Sequence, residues 1–321
     1  MDAVSTADRR PAGPLGAGDT SRSLGLTAMV VSAAAYSLFT LFAQVALETL
    51  RPTDVLLWRF AIAAPVAWAV VGLRRLAGHG AGVFAVRWRP SIGLGLVFGV
   101  LAWLAFAALE HLTGSLYVVI IYTYPAMVAI AGRWSGRPSP VGTWGPLTLM
   151  LVGIVLTAPE VFATPGRGVW LGVAMTVANA ALYAGYIVYS ERVVGTPGRR
   201  PGGSTGESDG FVTAAWGMTG SLVTAIVFVT VAGGVRVPDA APQIGAMLGL
   251  GVISTVVAGT GLLLGVRHLG PAAAALLATL EPVLALILLA TLRGEAMSVV
   301  QATGAALVIG AVVWSQRLRA A

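Results

Sequence analysis

Residues 268–282 read HLGPAAAALLATLEP, and residues 111–125 read HLTGSLYVVIIYTYP. In each window a His-Leu pair stands thirteen positions before a residue followed by proline, and the windows are 157 positions apart. The residue before the proline is Glu281 in one and Tyr124 in the other. Such a pattern predicts one helical unit used twice, with a proline at the same depth each time. Outside these windows, Leu24-Gly25 aligns with Leu171-Gly172 at an offset of 147, which places Tyr36 on Tyr183. Gly153 falls on Gly310 at an offset of 157.

Composition says what solvent surrounds these units. Hydrophobic residues make up 57% of the 321 and charged residues 10%, against about 25% charged in a soluble domain. Mean hydropathy is +0.84. These values indicate an integral membrane protein. The net charge of +7 comes from 20 basic residues, all arginine. They lie between apolar runs, so membrane orientation explains them and nucleic acid is not expected as a partner. The absence of lysine among so much Ala, Gly and Val points to a GC-rich bacterial source. The chain has no cysteine, which excludes disulfide and thiol chemistry.

A spanning helix needs about 20 mostly apolar residues. Ten such runs are expected, near 24–46, 54–73, 90–109, 112–132, 140–158, 168–190, 210–232, 242–265, 270–292 and 297–316. Residues 1–23 read as a disordered cytoplasmic tail, and residues 195–209 as a flexible cytoplasmic linker. The fold class is an all-α membrane protein of ten transmembrane helices in two inverted five-helix repeats, 24–158 and 168–316. Five is odd, so the second copy enters the membrane from the opposite side. With the N-terminus cytoplasmic, fifteen arginines fall on inside segments and four on outside loops. That bias puts both termini in the cytoplasm. Inverted repeats place a binding site near the midplane and support alternating access.

The chain resembles the EamA branch of the drug/metabolite transporter superfamily. The residues carrying the resemblance are Trp58-Arg59-Phe60, Tyr122-Thr123-Tyr124-Pro125, Leu280-Glu281-Pro282-Val283 and the Gly294-Glu295 turn. The first repeat departs from the pattern, because Pro138 stands thirteen residues beyond Pro125 with no glutamate nearby. The resemblance implies ten helices in two repeats and movement of small metabolites, often amino acids, across a bacterial cytoplasmic membrane. Export is the favoured direction.

The candidate substrate-binding or coupling residues are Glu281, Tyr124, Tyr117, Arg59, Tyr36, Tyr183, Asn179 and Trp103. A charged acid at the bilayer centre costs roughly 3 kcal/mol or more and marks a pathway by default. Glu281 can bind an ammonium group or carry a coupling proton; the plainer reading is a neutral acid held by a buried donor. Tyr124 takes the equivalent position and shares a helical stripe with Tyr117, while Tyr122 is expected to point to a neighbouring helix. Arg59 is read chiefly as a topological or structural residue snorkelling to the outer face. The alternatives are a substrate carboxylate, Asp54 or Glu281. Tyr36 and Tyr183 match across the repeats, and Asn179 shares a face with Tyr183 and needs an interhelical partner. Trp103 and Gln44 are weaker candidates. His111 and His268 occupy equivalent tight turns, too far apart to share a metal, and read as interfacial hydrogen-bonding groups. Four small-xxx-small glycine pairs, 95/99, 168/172, 245/249 and 261/265, predict close helix crossings.

Nothing reads as a nucleotide loop, zinc motif or nucleophile elbow. No cofactor, metal or enzymatic activity is therefore expected. A small molecule, a proton and the lipid bilayer are the expected partners. A non-transporting receptor or assembly factor on the same fold is the competing reading.

Overall fold

In the computed structural model the described residues are 17–78, 82–109, 111–112, 117, 120–134, 142, 144–157, 169–195, 209–293 and 298–320. They are helical almost throughout. The helices are α1 (Ala17–Ser37), α2 (Phe39–Leu47), α3 (Pro52–Leu76), α4 (Trp88–Leu109), α5 (Tyr124–Trp134), α6 (Trp144–Thr157) and α7 (Val169–Val194). Then follow α8 (Gly210–Val231), α9 (Ala241–Leu248), a π-helical segment (Gly249–Val257), α10 (Ala258–Leu269), α11 (Pro271–Ala278), α12 (Leu280–Arg293) and α13 (Val299–Ala320). Among the described residues six helices are long and apolar enough to cross a membrane: Ser21–Leu47, Pro52–Leu76, Trp88–Ala108, Val169–Val194, Gly210–Val231 and Ala241–Leu269. Shorter apolar helices cover Trp144–Leu156, Pro271–Ala285 and Val299–Trp314. Val30, Val97, Leu182, Ile226 and Val313 lie exposed along these helices. Lipid, as apolar as they are, accounts for that exposure.

One boundary is corrected. The first helix begins at Ala17, so residues 17–23 are helical and do not belong to a disordered tail. Residues 1–16, the linker positions 196–208 and the Gly294-Glu295 turn lie outside the described residues.

Local chemistry sets the helix ends. Pro52 starts α3, and the Asp54 carboxylate accepts from the Arg51 backbone N–H at 3.2 Å and from its Nε at 2.8 Å. The backbone N–H of Arg236 also donates to Asp54, at 3.0 Å, and Trp58 Nε1 donates to the Arg236 carbonyl at 2.9 Å. This knot joins the start of α3 to the loop after α8. Asp209 caps α8 by accepting from Phe211 N at 2.9 Å. The turn between α10 and α11 is as tight as a chain allows: Gly270, at φ +81°, ends one helix and Pro271 begins the next. A left-handed residue followed by a proline at the first helical position fits that junction.

Two pairs of contacts mirror one another. The first helix of each half packs on the turn of the other. A Cβ on Gly25 of α1 would lie 2.8 Å from His268 Cβ and 2.8 Å from Leu269 Cγ. A Cβ on Gly172 of α7 would lie 2.9 Å from His111 Cβ and 2.6 Å from Leu112 Cγ. Only glycine permits these approaches. They join residues that align at offsets of 147 and 157 in the sequence.

Helix pairing follows the same exchange. α1 packs on α10 as α7 packs on α4; α3 packs on the π segment as α8 packs on α4; α1 packs on α12 as α7 packs on α5. The self-related pairs are α3 with α8 and α6 with α13. At the α4–α8 crossing Gly95 lies directly against Gly217, and Ser221 Oγ donates to the Gly95 carbonyl at 2.8 Å. Small residues and interhelical hydrogen bonds are what hold helices together in lipid. Two apolar cores result, and both draw on both halves of the chain. One gathers α2, α3, α4, α8 and the π segment; the other gathers α1, α5, α6, α7 and α10 to α13. The two halves of the chain are thus interleaved in space.

Candidate functional site

Two helices are interrupted in the second core. Between α11 and α12 the chain turns at Thr279, whose hydroxyl donates to the Leu276 carbonyl at 2.6 Å. Just before α5 it turns at Tyr122-Thr123, where the Thr123 hydroxyl donates to the Ile120 carbonyl at 2.7 Å. A proline follows in the first turn of each continuing helix, Pro282 in α12 and Pro125 in α5. There its missing N–H is harmless and its fixed φ favours the helix. Each half therefore carries a helix that stops and restarts within the apolar core.

Glu281 lies in the first turn of α12, where the positive end of the helix dipole favours an acid. The Tyr122 hydroxyl is its hydrogen-bonding neighbour. Tyr122 and Tyr124 are both buried, with ring centroids 6.0 Å apart. The Tyr124 ring stands edge-on to Tyr183 at 4.7 Å, and its hydroxyl donates to the Ala275 carbonyl of α11 at 3.3 Å. Tyr183 stacks in turn on Tyr186 at 6.0 Å, and Tyr186 meets Phe98 of α4 at 5.5 Å. An aromatic ladder thus runs from Glu281 across α5 and α7 to α4. Asn179, one turn before Tyr183, donates through Nδ2 to the Tyr117 hydroxyl at 3.1 Å. That is the interhelical partner an amide in hydrocarbon requires.

Tyr36, near the end of α1, brings its hydroxyl within 4.0 Å of the Cβ position of Gly259 in α10. It lies in electrostatic range of both Arg59 and Glu281. Arg59 does not snorkel. It is 4% exposed and points into the protein, where Nε donates to Thr255 Oγ1 at 2.7 Å. Its guanidinium carbon lies 5.0, 5.3 and 5.8 Å from the ring centroids of Phe39, Phe60 and Phe98. The suggested partner Asp54 is already engaged by Arg51 and the Arg236 backbone. The π segment supplies the interior partner, since Thr255 Oγ1 itself donates to the Leu250 carbonyl at 2.7 Å. A π turn of this kind recurs at functional sites.

Glu281, Tyr124, Tyr36, Tyr183 and Arg59 thus converge on one region, with Asn179 and Tyr117 at its edge. Trp103 does not join them. It stacks on Phe228 of α8 at 4.9 Å. The side chain of Gln44 lies outside the described residues. Sequence reasoning missed Tyr122, because a continuous helix would have turned it away. It also missed Tyr186 and Phe98, although the spacing of Tyr183 and Tyr186 puts both on one helical face. His268 accepts or donates at Nδ1 with Ser21 Oγ at 2.9 Å. Among the described residues no group of three or more His, Cys, Asp or Glu gathers as a metal site.

The profile of the EamA-like transporter family matches residues 23–158 and again 170–316. A similar curated protein is the uncharacterized transporter YcbK of Bacillus subtilis, 24% identical over 262 residues, or 79% of this chain and 80% of YcbK. The uncharacterized transporter sll1319 of Synechocystis is 25% identical over 103 residues, 32% of this chain and 31% of that protein. A solved crystal structure shares the fold at a TM-score of 0.74 and 19% identity, over 94% of this chain and 99% of the other.

Proposed function

The chain belongs to the EamA-like transporter family, and from that premise we propose that it is a secondary active exporter of small amine-bearing metabolites, amino acids among them. It works by alternating access, driven by a proton or a counter-moving solute, in the bacterial cytoplasmic membrane. The family and the transporter names of its relatives support a membrane transporter and point away from an enzyme. The finer reading is carried by one observation: Glu281 sits in the first turn of α12 just after a helix break, with the Tyr122 hydroxyl of the first half as its hydrogen-bonding neighbour. An intramembrane acid is functional by default. Broken helices at the interface of two repeats are where such transporters bind cargo.

The exchange of contacts between Gly25 with His268-Leu269 and Gly172 with His111-Leu112 supports ten spans in two inverted repeats. So does the double match of the family profile. The arginine distribution supports cytoplasmic termini. Glu281, Tyr122, Tyr124 and Tyr36 form the cargo or proton site in this reading.

The test is flux into proteoliposomes from a broad amino-acid and amine panel, with Glu281→Gln alongside. Expected is a coupled flux that Glu281→Gln abolishes while the protein stays folded. If nothing in the panel moves and Glu281→Gln changes no property, a non-transporting receptor on the same fold is the better reading. A cysteine at Gly203 should react only from the cytoplasmic side in this naturally cysteine-free chain; external labelling would invert the topology.

A further inference from the structure

Arg59 is the second ionisable group in the transmembrane core, and the cargo reading above does not use it. A guanidinium has five N–H donors. Nε is spent on Thr255 Oγ1 at 2.7 Å, and Nη2 reaches the Ser254 carbonyl only at 3.5 Å. Among the described residues no carboxylate lies within ion-pair distance of it. The three phenylalanine rings at 5.0 to 5.8 Å offset the charge through their faces but accept none of the remaining N–H bonds. Arg59 stands seven residues into α3, about 10 Å from the helix start at 1.5 Å per residue. Water at the helix end is out of its reach. The result is a buried cation held rigidly along one edge, with its other donors open. A charge so placed is expensive unless something pairs with it.

What could pair is set by the surroundings. Phe98, 5.8 Å from the Arg59 guanidinium carbon, meets Tyr186, which leads through Tyr183 and Tyr124 to Tyr122, the hydrogen-bonding neighbour of Glu281. A run of aromatic rings therefore joins the two ionisable groups, and among the described residues they form no ion pair with one another. Planar, forked donors match a carboxylate better than a spherical anion.

We propose that Arg59, oriented by Thr255, is an anion subsite for the cargo's carboxylate, so that the transported molecule is a zwitterion with an apolar or aromatic body. The proposal rests on the transport reading for the word cargo, but the subsite itself is a binding claim. The cation takes Glu281 and the carboxylate takes Arg59. The body lies on the ladder of Tyr124, Tyr183 and Tyr186.

The experiment compares L-phenylalanine with its methyl ester and with 3-phenylpropionate on purified full-length protein, by thermal shift and by proteoliposome flux. The wild type should bind the amino acid about 10- to 100-fold more tightly than the ester, the range expected for one charge-assisted contact. Arg59→Gln should bring that ratio near one. Arg59→Lys should keep part of it, and Thr255→Val, which leaves the charge in place, should lower it by a smaller factor. Glu281→Gln should weaken acid and ester together. Equal binding of acid and ester by the wild type overturns the subsite while leaving transport intact. So does a ratio that survives in folded Arg59→Gln, or no binding of any of the three. An Arg59-dependent ratio without flux would instead keep the subsite and reject transport.

Discussion

The two broken helices are alike in construction and opposite in chemistry. Each is interrupted at the same place in its repeat, sealed by a threonine hydroxyl on a carbonyl three residues back, and restarted by a proline. The first half offers Tyr122 and Tyr124 at its break; the second offers Glu281. Arg59 has no counterpart cation in α8, where Ser221 and Thr224 make the equivalent contacts to α4. The shared scaffold explains how the molecule is held together. The unshared residues are where the proposed cargo site would draw its selectivity.

The largest effect should come from erasing the acid. Glu281→Gln removes the carboxylate that only the second half carries, and transport should fall by at least about 100-fold if charge is what the site needs. Tyr124→Phe, the matching change in the first half, should cost about tenfold or less, since it removes one hydroxyl bonded to the Ala275 carbonyl. Equal losses would mean that the halves contribute alike. Next come the scaffold glycines. Gly25→Ala and Gly172→Ala each force a methyl group against a His-Leu turn, and overpacking of this kind costs about 1–3 kcal/mol. Thermal melting in detergent should show two similar losses; a large effect at one and none at the other would break the two-fold equivalence. The smallest change is Asn179→Leu. It removes the bond to Tyr117, worth about 0.6 kcal/mol on average for interhelical hydrogen bonds in a membrane, and should lower stability slightly.

The sequence is most readable where the signal is a rarity. An acid before a proline in an apolar run, and a His-Leu-to-proline spacing repeated at 157, mark the two helices as a matched pair, though not that each is broken. Tyr36 and Tyr183 follow from a second match at an offset of 147, and Asn179 from its place one turn before Tyr183. Tyr122 was hidden because the stripe rule assumes a continuous helix, and the turn at Tyr122-Thr123 rotates it back toward Glu281. Arg59 was misread because snorkelling considers one helix and its lipid. The buried oxygens that hold it belong to a π segment of another helix, and the sequence GLGVISTVV gives no periodic sign of the wider turn. The partner of Trp103 was not legible either: an aromatic in a spanning helix says nothing of which face packs on Phe228.

The central claim is that both halves enclose one site that opens alternately to the two sides of the membrane. A cysteine in place of Gly259 tests it most directly, because that Cβ position lies 4.0 Å from the Tyr36 hydroxyl and 3.6 Å from Met218 Cε, and no native cysteine competes. A membrane-impermeant maleimide should label Gly259→Cys from either side of an oriented membrane, with a transported amino acid changing the two rates in opposite senses. Labelling confined to one side, unmoved by any substrate, would contradict alternating access.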